Sequence, residues 1–284
     1  MDIWRAVQLT QFIMMFIINA FTLVVFAKSR HLRRRSTYLI MNLTVADLLI
    51  APISGPENIL LPKAGERAKK GFGVLHVYLI ISDMCWIASL GNLVLISLER
   101  LHATLYPFRH CLVGKSIYYK IIIFSWFGAL TLACGVQISR MVDVPFADRY
   151  PWVIYICLTL AVLITSYAII MSKFIRKAHV QQLGSVMSAE RKLSVTLFIV
   201  SAASILTLLP WVIIICIAIS SDLHSWNSLT SYSIAVAIYF LNSILNPVIY
   251  AIRLSEFRRA LKELFCKNTS NPVRRDQPIE LQAM

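Results

Sequence analysis

Charge is scarce in this chain, and negative charge scarcer still. Of 284 residues, 15% are charged and 58% hydrophobic, against about 25% and about 45–50% in an ordinary soluble domain. A water-soluble core cannot absorb that excess, so a soluble enzyme or soluble binding module is excluded. Glycine is sparse at 9 residues, and no Gly-rich or aromatic-interleaved basic stretch accompanies the Lys and Arg. The net charge of +14 therefore points away from nucleic acid and toward the anionic inner leaflet of a membrane. Six cysteines are present. Cys85, Cys134, Cys157 and Cys216 lie in apolar runs, Cys111 in a basic loop and Cys266 after an amphipathic tail, so none is placed for an extracellular disulfide. No metal-ligand cluster and no nucleophile–base constellation is visible, which argues against a membrane enzyme. A transporter or channel would use Asp47, Glu57 and Asp83 as an ion path, but the inverted repeat and paired Gly-interrupted helices of such proteins are missing.

What the chain has instead is long apolar runs: Ala6 to Ala27, Tyr38 to Leu61, Phe72 to Leu98, Ile117 to Ile138, Trp152 to Met171, Leu193 to Ser220 and Leu229 to Ile252. At about 1.5 Å per helical residue, each can cross roughly 30 Å of hydrocarbon. No cleavage site follows the first run, which is expected to act as a signal anchor. With the amino terminus outside, 21 of the 28 Lys and Arg fall in inner segments, the bias that orients membrane proteins. The group Lys63, Arg67, Lys69 and Lys70 dissents without reversing it. From Ser255 to Cys266, Phe257, Leu261, Leu264 and Phe265 share one helical face opposite charges, the pattern of a helix lying on the membrane surface. The fold expected is an all-α membrane protein. A seven-transmembrane helix bundle occupies residues 1–254, an amphipathic interfacial helix 255–266, and a polar tail expected to be disordered 267–284.

Inside lipid an ionised group costs at least about 2.5–3.5 kcal/mol, so each asks for a partner or a function. Asp47 lies about mid-depth in the second run, with Ser89 of the third and Asn242, Ser243 and Asn246 of the seventh at comparable depth. These five oxygen-bearing side chains can converge on one small cation such as Na⁺. A hydrogen-bonded cluster that only glues helices together is the other reading.

The chain also carries Asn19 in the first run, Ala46-Asp47-Leu48 in the second, Glu99-Arg100 closing the third, Trp126 in the fourth, Pro210 in the sixth and Asn246-Pro247-Val248-Ile249-Tyr250 closing the seventh. In this order, one set per run, they resemble the signature of rhodopsin-like (class A) G-protein-coupled receptors. The resemblance implies that the Asp47 cluster is an allosteric sodium site, with no cofactor required. It also implies that Arg100 bonds to Glu99 and Glu190, holding the third and sixth helices together until a heterotrimeric G protein takes Arg100. Pro210 and Pro247 would serve as pivots, with Tyr250 swinging toward Tyr167, and Cys266 would be a palmitoylation site. Charge pairs and kinks that merely fit packing remain open for these residues, as does a free thiol.

In the outer halves Glu57, Ser82, Asp83, Trp86, Trp211 and Tyr239 can line a ligand pocket suited to an extracellular cationic small molecule or peptide. Alternatively Glu57 and Asp83 pair with His76 or Lys63. Departures from the family are Leu75 in place of the third-helix disulfide cysteine, Thr159 in place of the fifth-helix proline and Leu208 in place of the toggle tryptophan. Ser82 stands at the usual amine-anchoring place, and no lysine lies between Leu229 and Ile252, which excludes a retinal Schiff base there. The short second outer loop and the missing cysteine and proline are similar to the melanocortin, adenosine and cannabinoid receptor cluster, and an orphan receptor fits equally. A receptor that binds without signalling is also open, given Leu208.

Overall fold

With no water in hydrocarbon to satisfy backbone N–H and C=O groups, a long apolar run has to close its hydrogen bonds internally, and a helix does so. The computed structural model describes residues 3–29, 32, 37–60, 73–141, 149–178, 185–220 and 230–266. The helices there are α1 (Ile3–Lys28), α2 (Thr37–Leu60), α3 (Val74–Leu105), α4 (Pro107–Leu112), α5 (Lys115–Met141), α6 (Arg149–Ala178), α7 (Ser185–Ser220), α8 (Thr230–Arg253) and α9 (Ser255–Cys266). Seven of them, all but α4 and α9, are long and apolar enough to cross a membrane.

The spans form a ring in which α1 packs on α2 and α8, α8 on α7, and α7 on α6. The third span, α3, is the axial element, touching α2, α5, α6 and α7. Its burial follows: Cys85 through Leu90 are buried without interruption, whereas α5 buries mainly one stripe that includes Ala129, Ala133 and Val136. Phe124 and Phe127 of α5 stay 76% and 65% exposed, as side chains facing lipid tails do.

Several helices outrun the apolar stretches that announce them. The third continues past Leu98 to Leu105, so Glu99 and Arg100 sit inside it and not at its close, and the sixth span begins at Ser185. Charged residues end an apolar run, but they do not end a helix whose last turns stand in the headgroup region. The sequence reading also missed α4, a six-residue helix that opens on Pro107, whose fixed φ suits a first helical position.

Helix α9 begins at Ser255, directly after Leu254. Phe257 and Ala260 are buried against α1 and α8, and the Phe257 ring lies 5.3 Å from that of Phe26. Arg258, Arg259, Lys262 and Glu263 face outward, with Arg259 and Glu263 paired at 2.9 Å. The tail from 267 lies outside the described residues.

Candidate functional site

Helical depth brings residues from three spans to one point in the middle of the bundle. Asp47 of α2 is fully buried. Its Oδ1 accepts a hydrogen bond from Ser89 Oγ of α3 at 2.6 Å and another from Ser243 Oγ of α8 at 2.9 Å. Its Oδ2 accepts from Asn246 Nδ2 at 3.0 Å. Asn19 of α1 joins by donating to the Ser243 carbonyl at 3.2 Å and to its own Met15 carbonyl at 2.9 Å. Asn242 is buried beside Ser243, and its Oδ1 has no hydrogen-bond partner among the described residues.

The donors around Asp47 are neutral, so its negative charge is spread over hydrogen bonds without a cation among the described side chains. Each hydroxyl spends its one proton on the carboxylate and keeps its lone pairs. The Asp47 carboxylate and the Ser89 and Ser243 hydroxyls are hard oxygens, the chemistry that suits a small hard cation, whereas Asn246 turns its amide nitrogen to the carboxylate. The unbonded Asn242 oxygen adds a candidate ligand, and the residues present therefore fit Na⁺.

A second cluster, which sequence reading missed, lies about one turn away on α2. Asn42 Nδ2 donates to Asn92 Oδ1 at 2.6 Å, Trp126 Nε1 of α5 donates to Asn42 Oδ1 at 2.9 Å, and Asn92 Nδ2 donates to the Ala88 carbonyl at 2.8 Å. The signal was available: two asparagines and a tryptophan facing inward from three apolar runs need one another's hydrogen bonds.

At the inner end Arg100 is 1% exposed. Its Nε and Nη2 both donate to the Glu99 carboxylate. Glu99 also accepts from Tyr118 Oη at 3.1 Å and meets His110 Nε2 of α4 at 3.3 Å, while His110 and His102 face each other through Nδ1 at 3.3 Å. The Glu99 half of the expected clasp is thus in place. Glu190 falls within α7, but its side chain lies outside the described residues, as does that of Cys266. Tyr167 and Tyr250 are buried on α6 and α8, and Tyr250 Oη has no hydrogen-bond partner among the described residues. Pro210 and Pro247 lie inside α7 and α8, where each removes one backbone donor.

At the other end of α3, Asp83 is held by residues that the sequence reading did not name, while Lys63 lies outside the described residues. Arg140, at the end of α5, meets Asp83 Oδ2 at 2.9 Å and Oδ1 at 3.2 Å, and Gln137 Nε2 adds a bond at 3.1 Å. A carboxylate 7% exposed needs neutralising, and the two-pronged guanidinium of Arg140 does this directly. Ser82 pairs with Ser54 at 2.8 Å, and Trp86 Nε1 donates to Ser54 at 3.0 Å. Trp86 stacks near Tyr239 (4.7 Å) and Phe240 (5.3 Å), with Trp211 5.8 Å from Tyr239. Trp86, Trp211 and Tyr239 therefore do come together as an aromatic floor, whereas the Glu57 side chain lies outside the described residues.

Residues 18–250, most of the chain, match the family described as 7 transmembrane receptor (rhodopsin family). The chain belongs to this family. It is 24% identical over 282 residues to the medium-wave-sensitive opsin 1 of Cavia porcellus, covering 89% of this chain and 75% of that protein. To the red-sensitive opsin of Oryzias latipes it is 26% identical, covering 89% and 76%, and to the human (Homo sapiens) histamine H2 receptor 23%, covering 86% and 74%.

As a rhodopsin-family receptor, a signalling class and not an enzyme class, the protein is built without some of the family's fixtures. Leu208 is fully buried where the toggle tryptophan would stand, and the aromatic floor is carried by Trp86, Trp211 and Tyr239 instead. Leu75 stands in place of the disulfide cysteine, and the Asp83–Arg140–Gln137 cluster is a polar tie between α3 and α5.

Proposed function

We propose that this receptor sits in the plasma membrane with its amino terminus outside and its carboxyl terminus in the cytoplasm, binds an extracellular ligand between the outer halves of its helices, and activates a heterotrimeric G protein inside. The observation that carries this reading is the buried polar column, from the Ser54–Ser82–Trp86 group through Asp47 to the clasped Arg100. A family of receptors needs such a column to couple two faces, and its members hold different partners in each state.

The ligand would rest on Trp86, Trp211 and Tyr239, with Ser82 beneath and Glu57 as the acidic contact for a cationic small molecule or basic peptide. Asp83 is spent on Arg140 and drops out of that role. A likeness to the melanocortin, adenosine and cannabinoid cluster agrees with an acidic contact at Glu57. The absence of lysine between Leu229 and Ile252 speaks against an opsin's Schiff base. Na⁺ would be held by Asp47, Ser89, Ser243 and Asn242, where its charge offsets that of Asp47 and favours the resting packing. A palmitoyl chain on Cys266 would give α9 a second anchor beside its apolar face.

The test is nucleotide exchange on several purified G proteins by the receptor in lipid nanodiscs, across a ligand screen. Glu99→Gln removes the carboxylate that holds Arg100 and Glu190→Ala the one proposed to; each should raise ligand-free exchange several-fold at equal receptor amount. Unchanged or lower exchange in both variants overturns the clasp, and no exchange with any ligand or G protein overturns the signalling role.

A further inference from the structure

A cavity opens on the side of the bundle, among the described residues. Its volume is about 1080 Å³, just above the about 300–1,000 Å³ typical of small-molecule sites, and it lies between α3, α5 and α6. Its origin is topological. Both α5 and α6 pack on α3, yet they make no substantial contact with each other among the described residues. A slot therefore opens sideways, floored by Ile87, Gly91, Val94 and Leu98 of α3 and walled by Phe124 and Leu158. Leu98, Phe124 and Leu158 are 43%, 76% and 62% exposed, so the slot faces the surrounding hydrocarbon and not the ring's interior.

The slot is apolar along its length and polar at one end, where Lys120, His102, His110 and Glu99 line it. Glu99 is paired there with Arg100, which leaves Lys120 as the charge at the mouth. From Lys120 to Leu132, both lining residues of α5, twelve helical residues rise about 18 Å, a little more than the roughly 15 Å of one leaflet's hydrocarbon. An apolar trench one leaflet deep with a cationic rim has the dimensions and the polarity of a phospholipid.

We propose that this slot is a binding site for one anionic phospholipid of the leaflet at the Lys120 end, its acyl chain lying along Phe124, Gly128 and Leu158 and its headgroup at Lys120 and the His102–His110 pair. Occupancy fills the gap between α5 and α6 that their shared seat on α3 leaves open. Gly128 lines the trench, and a Cβ placed on it meets nothing within 4 Å, so the first carbon of a side chain there has room.

Native mass spectrometry of the full chain, released from nanodiscs of equimolar phosphatidylserine and phosphatidylcholine, tests the site independently of any ligand or G protein. The wild type should retain one phosphatidylserine over phosphatidylcholine by about fivefold, the ratio that about 1 kcal/mol per basic residue at a membrane surface gives. Lys120→Gln should bring the ratio close to one. Gly128→Phe should abolish the retained lipid with helix content and Tm unchanged, and Gly128→Leu serves as a smaller plug should the phenylalanine variant fail to fold. Equal retention of the two headgroups by the wild type, a lipid that survives both plugs, or displacement by a sterol and not by phosphatidylserine would overturn the proposal.

Discussion

Two polar clusters sit five residues apart on the same helix and are built on opposite principles. Around Asn42 donors and acceptors balance: two amides and an indole satisfy one another and a backbone carbonyl, with no net charge. Around Asp47 they do not. One carboxylate takes every proton offered by two hydroxyls and an amide, while the buried Asn242 and Asn19 carbonyl oxygens have no partner among the described residues. The first is a closed set of hydrogen bonds that holds α2, α3 and α5 together. The second carries surplus acceptors and a surplus charge, and surplus of that kind is what an ion consumes. Burial and depth are alike, so polarity inside a membrane protein is not by itself a sign of function; imbalance is.

The contrast can be broken most forcefully at Asp47. With Na⁺ at 100 times its Kd, binding adds about 2.7 kcal/mol, which raises Tm by about 5–10 °C for a chain of this size. The wild type should show this rise when Na⁺ replaces a large organic cation, and Asp47→Asn should show none; an equal rise in both sinks the ion reading. Next, Trp126→Phe leaves Asn42 Oδ1 short of its donor and should cost about 1–3 kcal/mol. That loss should be the same in Na⁺ and in the organic cation, as chemical denaturation or thermal melting in detergent can read, and a loss confined to one salt would merge the two clusters. Smallest is Asn242→Ala. Its Oδ1 makes no hydrogen bond to lose, so stability without Na⁺ should stay within about 1 kcal/mol of wild type, while the Na⁺-induced rise in Tm falls by about half. A large loss in the absence of Na⁺ would show that Asn242 is packing and not a ligand.

Much of this was legible in the sequence because lipid imposes simple rules. Seven apolar runs give seven spans, and a lone Asp at mid-depth has few places to go, so Asp47, Ser89, Ser243 and Asn246 could be gathered before any fold was known. Asp83 could not be read so. His76 and Lys63 were the bases offered for it, but Arg140 lies 57 residues away and meets it only because α5 packs on α3. The ends of helices were illegible for another reason: Glu99 and Arg100 mark the edge of hydrocarbon, and the backbone hydrogen bonds go on past that edge to Leu105.

The short helix α4 has a consequence of its own. Glu99, which grips Arg100, is itself gripped by His110 from α4 and Tyr118 from α5. Whatever docks against α4 and draws it away takes His110 from Glu99, and by reciprocity a change in the Glu99–Arg100 pair alters how easily α4 is drawn away. The connecting segment between the third and fourth spans is thus a lever whose two ends report on each other.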